Sequence, residues 1–596
     1  MNSIRQRLSP KSNPDLVFWL CLLTLNFLLF LPLYLLSADD AAFLPLAVLK
    51  ASGSLRAAFT ELTVWRNNLD PFRLNVELLV LTAIWVHVRW VRWRAYRYLF
   101  TVFYLVAFSY YVYEGIVVSI FQVDPVFYVE YYMAQDGIPV LLGGMQLPFM
   151  VYLAGFAGLA AMVYLMVRMI ATMMDGVPVD RLSRWSRWGL AVVTVVILGV
   201  VLEYRVALAN PRMVVSSVLY KVEKNVGDSL RIFETVSSFD DSAAYAAYNY
   251  GRYPLVETPD IYLIFVESYG SVLYKRPDFK ESYLALLDEL EPVFADNGWH
   301  TTSALSEAPT WGGGSWMSYS SALYGLRIDS HPQYLALLDR YQSERYPHLA
   351  NYLRGQGYTH YRISSMPAEI KEHEWLKYRN FYGVDTWLRY RDLGYVGPRY
   401  GWGPTPPDQY VVNFAQAHMD ADTDGPHLFF HITQNSHYPW MPLPELVDDW
   451  RDLNVAAPDD ETPDPEAIEH STRRQNYMNA VGYQLRFLQD FILRHADENS
   501  VFVLVGDHQP PRVSRHSDGW DTPIHIISKN PTFVDHFAQY GFEPGLAVSA
   551  AEPAMHHEAF YSMFARGLIE AYGRPGTVLP PYLPNGIAIE QEEFPE

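Results

Sequence analysis

The sequence predicts an α-helical membrane domain of five spans, followed by an α/β domain whose sheet carries helices on both faces. Three observations predict it. The first two hundred of the 596 residues hold long apolar runs, and the remainder is acidic and rich in proline and aromatics. From Asp260 onward, short β-branched runs alternate with helical patterns, as an α/β sheet requires. Two of those runs, Ile261–Val266 and Val501–Val505, are unbroken apolar stretches of the kind buried on both faces of a sheet.

The first span is Val17–Leu36, preceded by Arg5, Arg7 and Lys11. No small-residue cleavage site follows it, so it reads as an anchor and not as a removed leader. Further spans are expected at Leu74–Val88, Leu99–Phe121, Leu147–Ile170 and Leu190–Leu208. The second is short for a hydrocarbon core of about 30 Å. It either extends through Phe72 or along Trp90 and Trp93, or lies in the interface. Arg89, Arg92, Arg94 and Arg97, then Arg181, Arg184 and Arg187, mark two inner loops, and the outer loop near Asp124–Asp136 has acids and no Lys or Arg. The first outer loop fits less well, because it holds Lys50, Arg56, Arg66 and Arg73. Five spans place everything after Leu208 outside the cytoplasm.

The expected organisation is therefore a membrane domain at 1–209, a connector at 210–259 and an extracytoplasmic domain at 260–596. Within the connector, Val214–Leu230 has the spacing of an amphipathic helix, lying on a membrane surface or packed on the soluble domain. Helices are expected at Ser282–Phe294, after Gly312–Ser315, at Tyr346–Gly355 and at Arg474–Ala496. Further strands are expected at His300–Leu305, Thr359–Ile363, His427–Ile432 and Ile524–Ile527. Gly394–Pro407 and Asp448–Glu466 look like surface insertions. A net charge of −20 argues against nucleic acid as a partner. The single cysteine, Cys21, allows neither a disulfide framework within the chain nor a cysteine-based zinc site.

Chemistry concentrates at strand ends. Val501–Val505 stops at Gly506 and delivers Asp507 and His508, a hard oxygen and a borderline nitrogen that suit zinc or manganese. Ile261–Val266 delivers Glu267 in the same way. Ligands in open α/β sheets bind outside the carboxyl ends of strands. The plain alternatives are that Asp507 and Glu267 cap local turns or helices and that His508 is a surface residue. Between Ala308 and Gly325 a glycine-rich turn, Gly312–Gly314, leads into Ser315 at the first turn of a helix, where free N–H groups attract anions. A hydroxyl there is a nucleophile if a cation lies beside it, or simply a helix cap.

Together, Glu267 after the first strand, the hydroxyl of the glycine-rich turn and the Gly506-Asp507-His508 strand end resemble the alkaline phosphatase superfamily. The resemblance is to its membrane-anchored branch of lipoteichoic acid synthases, phosphoethanolamine transferases and sulfatase-like proteins, and it spans residues from about 260 to 570. It implies a sulfatase-like domain with a central mixed sheet sandwiched by helices, and one divalent cation, zinc or manganese first, magnesium or calcium next. Glu267, Asp507 and His508 would be its ligands, with Ser315 the fourth. In that superfamily the nucleophile commonly stands ten residues before a glycine closing its helix, and Ser315 stands ten before Gly325. The transferases usually carry threonine, so Thr310 is the competing nucleophile. His437 resembles the substrate-side histidine of the family, which binds phosphate or protonates the leaving oxygen. His556 resembles a second such histidine, with His557 adjacent. Arg362 is a candidate for a phosphoryl oxygen, or else a solvated surface arginine. Formylglycine chemistry requires Pro and Arg where Met317 and Tyr319 stand, so sulfatase conversion of Ser315 is not expected.

The function that follows is transfer of a phospholipid headgroup, of phosphoglycerol or phosphoethanolamine type, through a phospho-serine to an envelope glycan or lipid. A membrane lipid is the donor. The alternatives are a sulfatase-like hydrolase of phosphodiesters or sulfate esters, and a non-catalytic membrane binding protein. The sequence leaves the oligomeric state open.

Overall fold

The computed structural model describes residues 10–36, 42–45, 54–66, 68–144, 149–204, 208, 210–343, 345–367, 370–401, 403–422, 425–456 and 473–587. By internal packing the chain divides into two units, Met1–Glu130 with Met145–Leu230, and Tyr131–Gly144 with Arg231–Glu596. Part of the expected insertion Asp448–Glu466 (residues 457–466) lies outside the described residues, as do Arg5, Arg7, Lys50 and Leu147.

The first unit contains α1 (Pro14–Leu36), β1 (Leu74–Asn75), α2 (Val76–His87), α3 (Arg94–Phe121), α4 (Phe149–Ala171), α5 (Arg184–Glu203), β2 (Val215–Ser216) and most of α6 (Val218–Ser238). Among the described residues, four helices are long and apolar enough to cross a membrane: α1, α3, α5 and the stretch Leu153–Gly176 that begins within α4. The expected second span is only the twelve residues of α2, roughly 18 Å of helix. It does not extend toward Phe72, because Leu74 and Asn75 pair as a strand with Val215 and Ser216. The Asn75 side chain caps the helix by accepting from Leu78 N. Nor does it continue smoothly toward Trp93, since Arg89–Val91 is a 3₁₀ turn.

The five segments nonetheless alternate in direction. Asp15 at the start of α1 accepts a hydrogen bond from Ser183 N, just before α5, and His87 at the end of α2 contacts the Arg187 carbonyl at 3.2 Å. Arg92 pairs with Asp180, and Arg97 pairs with Asp175. The arginine-rich loops thus gather at one end of the bundle, together with the exposed Trp90, Trp93, Trp185 and Trp188. The irregular backbone where α2 begins is satisfied inside the protein, as apolar surroundings demand. Arg73 donates to the carbonyls of Met213 and Asn68, and Asn26 accepts from Asn75 N.

The second unit is a nine-stranded mixed sheet with two hydrophobic layers. Its strands are β3 (Asp260–Val266), β4 (His300–Glu307), β5 (Thr359–Ser364), β6 (Thr386–Arg389), β7 (His427–Ile432), β8 (Ser500–Gly506), β9 (Asp521–Ser528), β10 (Glu543–Pro544) and β11 (Met555–His556). They run in the order β10-β4-β9-β8-β3-β7-β5-β6, with β11 beside β4. β3 is parallel to both β7 and β8, whereas β9 is antiparallel to β4 and β8.

Alternation along the central strands explains the two layers. Ile261, Leu263 and Phe265 of β3, with Val501, Val503 and Val505 of β8, face one core. Tyr262, Ile264, Val266, Phe502 and Leu504 face the other. Each such side chain contributes roughly 1.5–3 kcal/mol by leaving water, which is why both strands lack polar breaks. The first core is covered by α8 (Ser315–Tyr324), α9 (His331–Tyr341), α10 (Leu349–Gly355) and α14 (Phe560–Tyr572). The second is covered by α7 (Pro277–Asp296), α12 (Asp408–Met419) and α13 (Arg473–His495). A further helix, α11 (Glu372–Phe381), follows β5. The expected helix at Tyr346–Gly355 begins only at Leu349, with His348 as its cap.

Candidate active site

The register of the sheet brings the first two candidate ligands together. Val266 of β3 pairs with Gly506 of β8, so Glu267 and Asp507 leave adjacent parallel strands at the same level. A side chain at Gly506 is excluded, since a Cβ there would stand 1.9 Å from the Tyr269 carbonyl oxygen. Ser268 adopts a left-handed conformation, φ 58°, which is costly for a residue with a side chain. That turn aims Ser268 N at Asp507 Oδ1, 2.8 Å away, and sets Ser268 Oγ 2.9 Å from Glu267 Oε1.

Glu267, Asp507 and His508 are all buried, and each offers a ligand atom within 4.8 Å of the others. His508 Nδ1 contacts the Gln509 carbonyl at 2.9 Å. The tautomer that donates there leaves the Nε2 lone pair facing Glu267 Oε1 and Asp507 Oδ2, each 3.6 Å away. Asp507 Oδ2 is buried and has no hydrogen-bond partner among the described residues. Two buried carboxylates, one of them with an orphaned oxygen, and an inward imidazole lone pair form a donor set that fits a divalent cation of the zinc or manganese type.

Ser315 joins this group. Gly314 takes φ 68° and ends the glycine turn, so α8 starts at Ser315 and closes at Gly325, also left-handed. Ser315 Oγ lies 3.3 Å from Glu267 Oε2 and 3.3 Å from His508 Nε2. Two ties fix that approach: Ser318 Oγ donates to the Asp507 carbonyl at 2.6 Å, and Gln509 N donates to the Trp311 carbonyl at 2.9 Å. The second of these joins the glycine-rich loop to the segment that follows β8. Thr310 makes a local bond instead. It is 5% exposed, and its hydroxyl donates to the Gly313 carbonyl at 2.9 Å, which folds the loop on itself.

The remaining candidates divide. His437 Nε2 stands 4.0 Å from Glu267 Oε1, and its Nδ1 contacts the Tyr438 carbonyl at 2.6 Å. Burial holds this imidazole below its ordinary pKa. Its loop is fixed by Asp408, which accepts from Gln434 N at 2.9 Å and Asn435 N at 2.8 Å. His556 belongs to a charged cluster beside Glu307, where its Nδ1 lies 3.1 Å from Arg327 Nη1 and 3.5 Å from Glu558 Oε1. His557 turns inward, accepting from Ser306 Oγ at 2.8 Å and meeting the Gly506 carbonyl at 3.0 Å. Arg362 is not a surface residue: it is 6% exposed, and its guanidinium lies 4.3–5.4 Å from the ring centres of Tyr319, Tyr382, Trp387 and Phe430. Its Nε and Nη1 have no hydrogen-bond partner among the described residues.

Sequence reasoning missed Ser268 and Asp408, and noted His557 only as the neighbour of His556. Asp408 had a signal, since Pro406-Pro407-Asp408 is a helix start with an acid in its first turn. Ser268 had none, because no local pattern announces a strained turn.

Burial, then the neighbouring Glu267 charge, push the Asp507 carboxyl up to about 7. His508, which burial alone would push down, is held above its ordinary value by Asp507 and Glu267. Both folded-state values exceed the unfolded ones, so stability from protonation is present at low pH and lost as pH rises through about 7. The metal-free protein is therefore expected to melt at lower temperature at pH 8.5 than at pH 5.5, with Asp507 alone accounting for roughly 2 kcal/mol of lost stability. Added zinc or manganese should restore more at the higher pH. A melting temperature of the stripped form that does not move with pH would contradict this electrostatic account.

No family model matches the chain, and no curated protein matches it. Among solved structures it is similar to the lipoteichoic acid synthase LtaP from Listeria monocytogenes, at 13% identity over 58% of this chain and 80% of that one, with a TM-score of 0.36. It is similar to the C-terminal periplasmic domain of EcEptC from Escherichia coli in complex with Zn, at 15% identity over 58% and 91%, with a TM-score of 0.35. A third is the Streptococcus pyogenes phosphoglycerol transferase GacH in complex with sn-glycerol-1-phosphate, at 14% identity over 57% and 82%, with a TM-score of 0.33. Likenesses this distant carry no weight for substrate or mechanism, which rest on the residues of this chain.

Proposed function

We propose that the chain is a membrane-anchored, metal-dependent phosphotransferase that moves a phospholipid headgroup to an envelope glycan or lipid through a phospho-serine. The observation that supports it best is Ser315 Oγ at the first turn of α8, 3.3 Å from both Glu267 and His508. Glu267, Asp507, His508 and Ser315 would hold one divalent cation, which when bound lowers the pKa of a coordinated hydroxyl and neutralises phosphoryl charge.

In the first half-reaction Ser315 Oγ attacks the phosphorus of the donor's phosphodiester. The bond from phosphorus to the diacylglycerol oxygen breaks, and the proton that Ser315 Oγ gives to Glu267, 3.3 Å away, passes by way of His437, 4.0 Å from Glu267, to the leaving alkoxide. The free N–H groups at the start of α8 favour the anionic transition state. In the second half-reaction an acceptor hydroxyl gives its proton to His437 and attacks the phospho-serine, and Ser315 leaves, its oxygen recovering that proton through Glu267. Arg362 and His556 are assigned to the substrate's phosphoryl and polar groups. The headgroup is of phosphoglycerol or phosphoethanolamine type.

The test is the mass of the Ser315 peptide after the purified full chain is incubated with phosphatidylglycerol or phosphatidylethanolamine. A phosphoglycerol or phosphoethanolamine adduct on Ser315 is expected. Product release with Ser315 never modified would sink the covalent route.

The topology assigned to the chain puts the N-terminus inside and residues after α5 outside the cytoplasm, with α2 counted as the second crossing. The gathered arginines and tryptophans support it. A reporter active only in the cytoplasm, fused after Glu596, is expected to be silent. An active fusion would reduce the count to the four long helices.

A further inference from the structure

The helix α6 presents an apolar stripe at its surface. Leu219, Val226 and Leu230 follow one another at separations of seven and four residues, which places them on one face. They are 61, 45 and 58% exposed. Glu223 borders the stripe, and beyond it Lys224 lies roughly 140° around the helix, paired with Asp228 at 2.9 Å.

The rotation and the level of the helix are set by its third face, which is buried. Glu77 accepts from Val218 N at 3.2 Å and Leu219 N at 3.1 Å, a carboxylate at the helix N-terminus. Lys221 pairs with Glu114, both 1% exposed, and Asn225 accepts from Phe127 N at 2.6 Å. These bonds hold the stripe outward. They also reach the start of α2 and the last turns of α3, the end of the bundle opposite the gathered arginines. The helix therefore begins where the crossing segments leave the bilayer on their outer side.

We propose that α6 lies in the membrane–water interface, with Leu219, Val226 and Leu230 inserted among the acyl chains of a phospholipid leaflet. A narrow apolar line beside a charged face is the pattern of a helix lying in the plane of a bilayer. The segment before it in the chain, α5, carries exposed apolar side chains of the same kind, with Val192, Val195, Val196 and Leu202 at 57–84%. Phe233, three residues beyond Leu230 and 52% exposed, continues the same face of the helix. The inference rests on the reading that the long apolar helices cross a bilayer.

The single cysteine, Cys21, makes a site-directed test practical. In a Cys21→Ser background, nitroxides are placed singly by Val226→Cys, Leu230→Cys, Lys224→Cys and Leu202→Cys, in the full chain in phospholipid nanodiscs. Positions 226 and 230 should favour collisions with oxygen over a water-soluble nickel chelate, as position 202 should, and position 224 should do the reverse. If 226 and 230 behave like 224, or are shielded from both reagents by a second copy or another protein, the proposal is overturned. A watery result at 202 would overturn the membrane reading itself. Independently, Val226→Glu with Leu230→Glu should slow turnover of a bilayer-embedded donor about tenfold while sparing a soluble phosphodiester. Equal effects on the two substrates would also count against it.

Discussion

Replacing Ser315 by alanine is expected to cut phosphodiester turnover by roughly a thousandfold or more and to abolish the covalent adduct, as loss of a nucleophile does. Thr310→Ala is expected to leave turnover within about tenfold. The two hydroxyls sit in one loop, five residues apart, yet the fold treats them oppositely. Ser315 Oγ faces Glu267 and His508 from the first turn of α8, within reach of the helix dipole. Thr310 is spent on the Gly313 carbonyl, and its loss removes one loop hydrogen bond, worth about 1 kcal/mol. A single-turnover assay on both variants decides the matter. Retained bursts in Ser315→Ala with none in Thr310→Ala would transfer the nucleophile to Thr310 and leave Ser315 as a residue of the helix start.

Asp507→Asn is expected to lower metal affinity at least about a hundredfold and to remove activity with it. Asparagine can keep the acceptor role of Oδ1 toward Ser268 N and His508 N, both at 2.8 Å. Its amide would then replace the orphaned Oδ2 with donor hydrogens aimed where a cation belongs. The same change should not destabilise the metal-free fold, because it removes a buried charge beside Glu267. Melting temperature and metal content should therefore part company: content falls while the stripped Tm holds or rises. Unchanged metal content in the purified variant would refute the ligand assignment.

The centre of the site was legible in the sequence because its signals are local. A β-branched run ending in an acid marked both β3 and β8, and the glycines before Ser315 and at Gly325 marked both ends of α8. What the sequence could not carry was direction and neighbourhood. Asp521–Ser528 reads as a buried strand whichever way it runs, so the antiparallel placement of β9 between β4 and β8 left no trace in its composition. β6 is half-buried along its length and offered no clear alternation. The burial of Arg362 was not legible, and a solvated surface arginine stood beside the phosphoryl-binding reading, because its surroundings are four aromatic rings scattered between residues 319 and 430. The apolar run at Leu74–Val88 overstated a span, although Asn75 followed by Glu77 already carried a helix-start signal.

The pairing of Val266 with Gly506 has a consequence for how the protein is made. The two carboxylates that meet at the site stand 240 residues apart in the chain. Synthesis delivers Glu267 and Ser315 long before Val501, and until β8 docks beside β3 a cation would find no more than one of the two carboxylates to hold it. Metal therefore cannot guide the early assembly of this sheet. A cation could be taken up only by a domain whose central strands have already closed, so folding comes before loading.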